Sequence, residues 1–237
     1  MKIDGDMAEI LGMHIGDGCI SVNKRYSMYY LGGDITEEKE YHDLWVSKLL
    51  NKKVFFPLGK KAACYKEYPS VGVYGLYVFD KEVVNFFKNF GILSGSKKQQ
   101  DIPKGILNNK RLMKRFIRGL FDTDGTIYFD KNRSCKNPIN NVPIIKLGTT
   151  SRRLARSVFK YLKLLGFNPG IKKPYKGKRD KNKVYTIVLY RKKDINDYIN
   201  KIEFKNPKHK TKWLVFKKQG YLQPKTTLKE RKAIIAS

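Results

Sequence analysis

The strongest constraint on the fold is a ten-residue pattern that occurs twice, 107 residues apart. Glu9–Gly18 reads EILGMHIGDG, and Phe116–Gly125 reads FIRGLFDTDG. Each copy is a short helical run with glycine at its fourth position, a small residue four positions later and Asp-Gly at its end. Because the offset is nearly half of the 237 residues, the repeat predicts two lobes of about 100 residues each.

The same order of elements is predicted after each copy: two strands, a helix, two strands and a helix. In the first half these are a strand at Cys19–Asn23, a strand ending at Asp34, a helix at Thr36–Asn51, strands at Val54–Leu58 and Val71–Phe79, and a helix at Lys81–Phe90. In the second half they are a strand at Thr126–Asp130, a strand ending at Thr150, a helix at Ser151–Phe167, strands at Gly170–Tyr175 and Tyr185–Tyr190, and a helix at Lys193–Phe204. The predicted fold class is α+β, with two pseudo-symmetric αββαββα lobes that each contain an antiparallel sheet.

The predicted domains are an N-terminal lobe at 1–93, a linker at 94–104, a C-terminal lobe at 105–216 and a basic tail at 217–237. Ser94–Pro103 has the composition of a connector. Near the C-terminus only Trp213–Phe216 is apolar enough to pack, so the rest of the tail is not expected to join the core.

The charge balance points to a polyanionic partner. Fifty Lys and Arg against 21 Asp and Glu leave a net charge of +29, which is typical of nucleic-acid binding, the alternative being a lysine-rich surface that only aids solubility. Hydrophobic residues make up 41% of the chain, enough to exclude wholesale disorder.

The three dispersed cysteines disfavour a zinc finger or a disulfide scaffold. No apolar run approaches the ~18 residues of a membrane span, so we expect an intracellular, cytoplasmic protein with no membrane partner.

Both copies of the repeat end in an acid where a helix disfavours one. Gly12 and Gly16 lie four residues apart, as do Gly119 and Thr123, so these helices can pack unusually closely and bring their ends together. Asp17 and Asp124, the last acids of the two copies, would face the negative ends of the helix dipoles, each at a cost of roughly 0.3–1 kcal/mol. Two adjacent carboxylates repel further, and a divalent cation such as Mg²⁺ would relieve the conflict. The alternative is that each Asp-Gly only ends a helix, with a left-handed glycine and a solvated acid.

Ile10–Gly18 and Ile117–Gly125 resemble the two LAGLIDADG motifs of a single-chain homing endonuclease. The first copy departs from the motif at His14 and Ile15, whereas the second is a close match. With the duplicated elements, the resemblance covers residues 7–216. It implies two sheets that form a DNA-binding saddle, a monomer associated with the nucleoid, and cleavage of double-stranded DNA of the intron or intein homing type. The fold also hosts maturases that act on host intron RNA and non-cleaving DNA binders, which stay open as alternatives.

The resemblance also implies roles for individual residues. Asp17 and Asp124 would bind catalytic Mg²⁺, with the backbone carbonyls of Gly16 and Thr123 as further ligands. Mn²⁺ is expected to substitute for Mg²⁺, and Ca²⁺ to support DNA binding without cleavage. A basic residue after the last helix of each lobe would organise the water network. The candidates are Lys97 and Lys98 in the first lobe and Lys208 and Lys210 in the second. Lys98 and Lys210 are favoured, the alternative being that they are solvated surface lysines.

Strand alternation predicts which side chains face the DNA. Those expected at base edges are Ser21, Asn23, Tyr30, Tyr128, Asp130 and Lys146. Those expected at phosphates are Lys24, Arg25, Lys131 and Arg133 in turns, and Lys172, Lys173, Lys178 and Arg179 near a basic hairpin whose alternative is a solvated loop. Strands of about eight residues cover about eight base pairs per lobe, so two unequal lobes predict an asymmetric target of somewhat under 20 base pairs.

Overall fold

The computed structural model describes residues 2–132, 139–177 and 182–237. The first lobe contains α1 (Gly5–Asp17), β1 (Gly18–Val22), β2 (Ser27–Asp34), a helical segment α2 over residues 39–58, β3 (Lys66–Tyr68), β4 (Val73–Phe79) and α3 (Lys81–Asn89). The second contains α4 (Lys110–Thr123), β5 (Gly125–Lys131), β6 (Asn140–Thr149), α5 (Arg152–Leu164), β7 (Gly170–Tyr175), β8 (Val184–Leu189) and α6 (Lys192–Lys201). Helices α7 (Pro207–Gln219) and α8 (Leu228–Ala236) follow. None of the described helices combines the length and the apolar composition needed to cross a bilayer.

Each lobe carries an antiparallel sheet, and over the described residues both sheets have four strands. The strand orders are β1-β2-β4-β3 and β5-β6-β8-β7. The edge strands β1 and β5 correspond to each other, and they begin at the C-terminal ends of α1 and α4. In register, Cys19 pairs with Tyr30 in the first sheet, and Thr126 pairs with Lys146 in the second. The two-lobed α+β prediction is confirmed.

Helices α1 and α4 pack backbone against backbone. A methyl group at Gly12 would overlap the carbonyl oxygen of Phe116 and lie 2.9 Å from the amide nitrogen of Leu120. A methyl group at Gly119 would overlap the carbonyl oxygen of Glu9. Four residues after Gly12, Gly16 lies against Thr123 and Asp124, which are likewise farther along α4. The helices therefore run parallel, and their C-terminal ends emerge side by side.

The predicted strand at Val54–Leu58 is wrong, because this run continues α2 as a helix. Two π-helical stretches, His42–Val46 and Asn51–Phe55, widen the helix. Leu44, in the first of them, is 69% exposed. A short apolar run does not distinguish a buried helix from a buried strand. The first sheet instead contains Lys66–Tyr68, a polar edge strand that was not predicted.

The prediction that only Trp213–Phe216 packs near the C-terminus is also wrong. Leu228 at the start of α8 is buried, and Arg231 is 1% exposed. Arg231 donates a 2.9 Å hydrogen bond from Nε to Oγ1 of Thr211 in α7 and pairs with Glu37 of the first lobe. The C-terminal segment therefore links the two lobes.

Candidate active site

The two predicted acids lie at the adjacent ends of α1 and α4. Asp17 is the last residue of α1, and Asp124 follows the last residue of α4. A methyl group at Gly16 would overlap the Thr123 side chain, so the residues before the two acids touch. Over residues 2–132, 139–177 and 182–237, neither carboxylate has a hydrogen-bond donor or an ion-pair partner. The two acids are close enough for the charge of Asp124 to act on Asp17.

Electrostatics at this point favour a proton or a cation. Burial, with smaller contributions from Asp124 and Glu38, raises the pKa of Asp17 to about 7 against the opposing effect of nearby lysines. Asp124 keeps more solvent access, but desolvation by the surrounding protein still raises its pKa, and Lys97 partly offsets the increase. Gly18 is extended, at φ −80° and ψ 163°, so the left-handed helix cap with a solvated acid does not describe this helix end.

Lys97, rather than the favoured Lys98, lies near the two acids. The Lys97 ammonium donates a hydrogen bond to the carbonyl oxygen of Gly16. Burial lowers the pKa of Lys97, although Asp124 and Asp17 act in the opposite direction. Lys98 is exposed. Neighbouring positions in a connector carry no periodic pattern, so the sequence could not decide between these two lysines.

In the second lobe, Lys208 rather than the favoured Lys210 lies near the acids. Lys210 is exposed. The Lys208 ammonium lies 3.4 Å from Oε1 of Glu38, and its charge lowers the pKa of Asp17. Glu38 is only 4% exposed and was not predicted as a site residue. Its Oε1 also accepts a 2.8 Å hydrogen bond from the side-chain amide of Asn206. No sequence signal distinguishes Glu38 from the acids beside it.

Asp122 positions the helix that carries Lys208. Its side chain is fully buried, and its carboxylate accepts hydrogen bonds from the backbone amides of Lys205, at 3.1 Å, and Asn206, at 3.3 Å. Burial raises the pKa of Asp122 well above its ordinary value, and these backbone donors oppose the increase. The first copy of the repeat has Ile15 at this position, so the repeat itself did not predict the role.

The donor set fits a hard divalent cation. The atoms available are the carboxylates of Asp17 and Asp124 and the backbone carbonyls of Gly16 and Thr123, all oxygens of the kind that Mg²⁺ prefers. The Lys97 ammonium on the Gly16 carbonyl shows that this oxygen already attracts positive charge. The described part of the chain holds no group of three or more His, Cys, Asp or Glu side chains suited to a metal.

The predicted base-reading residues, with one exception, lie on the outward faces of the sheets. Ser21 and Tyr30 share this face in the first sheet, where the Tyr30 and Tyr77 rings lie 4.6 Å apart. In the second sheet the Lys146 ammonium lies 4.9 Å from the centre of the Tyr128 ring. Asp130 is exposed farther along β5.

The exception is Asn23, whose amide oxygen shapes the turn after β1. It accepts hydrogen bonds from the backbone amides of Arg25, at 2.8 Å, and Tyr26, at 2.9 Å. The predicted phosphate-contacting residues that are exposed are Lys24, Arg25, Lys131, Lys172 and Lys173. Arg133, Lys178 and Arg179 lie outside the described residues, so their predicted contacts stay predictions.

Similarity to known proteins agrees with this geometry. Residues 111–203 match the family model of a LAGLIDADG-like domain. The structure resembles that of I-DmoI in complex with DNA and Mn, with a TM-score of 0.59 and 19% identity over 84% of this chain and 96% of I-DmoI. The second lobe therefore carries a LAGLIDADG-like domain, and the chain has the two-lobed fold of I-DmoI. In the first lobe, α1 takes the place that α4 holds in the second.

Two curated proteins are similar to this chain in sequence. An uncharacterized protein of Methanocaldococcus jannaschii is 30% identical over 187 residues, which are 75% of this chain and 19% of that protein. A DNA polymerase of Thermococcus sp. (strain GE8) is 28% identical over 161 residues, which are 67% of this chain and 8% of the polymerase. The chain thus spans a fifth or less of the length of these relatives.

Proposed function

We propose that this protein is a site-specific, Mg²⁺-dependent endonuclease that cuts double-stranded DNA as a monomer, in intron or intein homing. The observation that carries the proposal is the pair of carboxylates of Asp17 and Asp124 at the adjacent ends of α1 and α4. The described part of the chain offers neither of them a hydrogen-bond donor or an ion-pair partner. They lie where the two edge strands β1 and β5 begin, on a chain with a net charge of +29. The similarity to I-DmoI, whose structure contains DNA and Mn, supports the same assignment.

The residues around the carboxylates suit phosphodiester hydrolysis. Bound divalent ions would acidify water and stabilise charge on the attacking and leaving oxygens. Asp17, Asp124 and the carbonyl of Gly16 would hold the cations. Lys97, whose pKa is lowered by burial, holds a proton beside both acids and can orient water or donate to an oxygen that gains charge. Glu38 and Lys208 form an ion pair, and the charges of both act on Asp17.

The outward sheet faces would lie in the major groove of the DNA. Ser21, Tyr30, Tyr128 and Lys146 offer hydroxyl and ammonium groups to base edges, and the exposed lysines in the turns would contact phosphates. Because the two lobes present different side chains, the target should be asymmetric and somewhat under 20 base pairs long. We expect Mn²⁺ to replace Mg²⁺, and Ca²⁺ to support binding without cleavage.

Selection of cleaved sites from a randomised duplex library in Mg²⁺ tests the proposal. The expected result is one asymmetric site cut on both strands, with no cutting in Ca²⁺. Tight duplex binding without cleavage in either Mg²⁺ or Mn²⁺ would instead identify a non-cleaving DNA binder. Preference for a structured intron RNA over the duplex, again without cleavage, would identify a maturase.

A further inference from the structure

A basic cavity lies beside the candidate active site, between α7, the free edge of β5 and the C-terminal segment. Its volume is about 490 Å³. Four cationic side chains line it, namely Lys208, Lys212, Lys225 and Arg231. Glu37 is the acid among the described residues that line this cavity, so its walls carry an excess of positive charge.

Glu37, the acid among the described residues that line the cavity, already has hydrogen-bond partners. Glu37 accepts hydrogen bonds from the Arg231 guanidinium and, at 2.7 Å, from the backbone amide of Leu228. For the half-buried Lys212, no carboxylate within the described part of the chain lies at ion-pair distance. Burial lowers the pKa of Lys212 to about 8, and the charges of Arg231 and Lys208 act in the same direction. A partly desolvated ammonium among other cations is stabilised by an anion.

The position of the cavity beside the outward sheet face favours a DNA phosphate as the anion. Tyr128 lines it and also lies on the outward face of the second sheet, beside Lys146. Strand β5 starts directly after Asp124, so Tyr128 is about 13 Å along the strand from that carboxylate, at ~3.3 Å per residue. A DNA strand that follows this sheet would pass the cavity within a few nucleotides of the bond to be cut.

We propose that this cavity binds a backbone phosphate of the bound DNA, held by Lys212 together with Lys225. The inference rests on the proposed function for the identity of the ligand. It gives the C-terminal segment a binding role, because residues 222–231 form one wall of the cavity.

Salt-dependent binding to a fluorescent duplex of about 25 base pairs and random sequence, in Ca²⁺, tests the inference. Lys212→Gln should weaken binding roughly tenfold and reduce the slope of log K against log salt by about 0.9, the loss of one phosphate contact. Lys212→Arg should keep both values near those of the wild type. Lys225→Gln, at an exposed position, should show a smaller change in the same direction. Lys229→Gln, an exposed lysine of α8 outside the cavity, is the matched control.

The outcomes separate the cavity from the nuclease. If Lys212→Gln and Lys225→Gln bind with unchanged affinity and slope while the wild type cuts DNA, the cavity proposal is wrong and the proposed function stands. If both variants lose affinity but the wild type never cuts DNA, the cavity proposal stands without the nuclease. If inorganic phosphate raises the melting temperature of the wild type but not of Lys212→Gln, and DNA affinity is unchanged, the cavity binds free phosphate and the proposal is overturned.

Discussion

Asp17 and Asp124 end matching helices but differ in their surroundings. Asp17 is the more buried acid, and three sources raise its pKa to about 7: burial, Asp124 and Glu38. Asp124 is more open to solvent. Since the folded protein binds a proton at Asp17 more tightly than the unfolded chain does, ionisation of Asp17 opposes folding.

Asp17→Asn should therefore change how stability depends on pH. In the unfolded chain Asp17 titrates near 3.8 and in the folded protein near 7, so the wild-type free energy of unfolding falls as pH rises across this window. At pH 8 without divalent ions the variant should be more stable by on the order of 1–2 kcal/mol, with little gain at pH 3.5. Urea unfolding at both pH values measures this, with Asp130→Asn at an exposed position as control. An equal effect at both pH values would contradict the assignment.

Lys97 and Lys98 offer a matched pair of variants at adjacent positions. Lys97→Met should slow DNA cleavage by about 100-fold or more, the scale of lost proton-transfer assistance, because its ammonium donates to the Gly16 carbonyl and interacts electrostatically with both acids. Lys98→Met should cut at nearly the wild-type rate, since its side chain points into solvent. Single-turnover cleavage in Mg²⁺ gives both rates. A larger loss of cleavage rate in Lys98→Met than in Lys97→Met would contradict the role assigned to Lys97.

At the scale of elements, the repeated motif predicted more than any other feature. Small residues four apart predicted the close α1–α4 contact, and strand alternation predicted the outward faces. The π-helical stretches of α2 were not predictable, since nothing in a hydrophobic pattern signals one extra residue in a turn. The boundaries at 93, 104 and 216 stay predictions.

The contact between α1 and α4 gives a stability prediction. Gly119→Ala should destabilise the protein by about 3 kcal/mol, because the new methyl group would overlap the Glu9 carbonyl and two backbones cannot easily separate. Gly5→Ala is the control in the partner helix, since its methyl group would lie 3.5 Å from the flexible Arg115 side chain. Denaturant unfolding compares the two variants. Equal stabilities would mean that the helices can move apart at little cost.

At the scale of the whole molecule, the missed part of the site comes from long-range contacts. Glu38 and Asn206 meet across 168 residues of sequence, and Asp122 holds the start of α7 from 84 residues away. Glu38 and Asn206 lie outside the repeat, and Asp122 has no acidic counterpart in the first copy, so only the folded chain brings these residues together. The acid pair was predictable because the motif containing it occurs twice. The role of the C-terminal segment was not, because its buried residues are few and widely spaced.

The most direct test of the central claim is cleavage of the selected duplex by the wild type, Asp17→Asn and Asp124→Asn, with binding measured in parallel in Ca²⁺. If the two carboxylates hold the cations, each substitution should lower the rate of double-strand cutting in Mg²⁺ by about 100- to 1000-fold or more. Binding should stay within about threefold of the wild type, since the acids do not hold the DNA. Double-strand cutting retained by either variant at the wild-type rate would contradict the account.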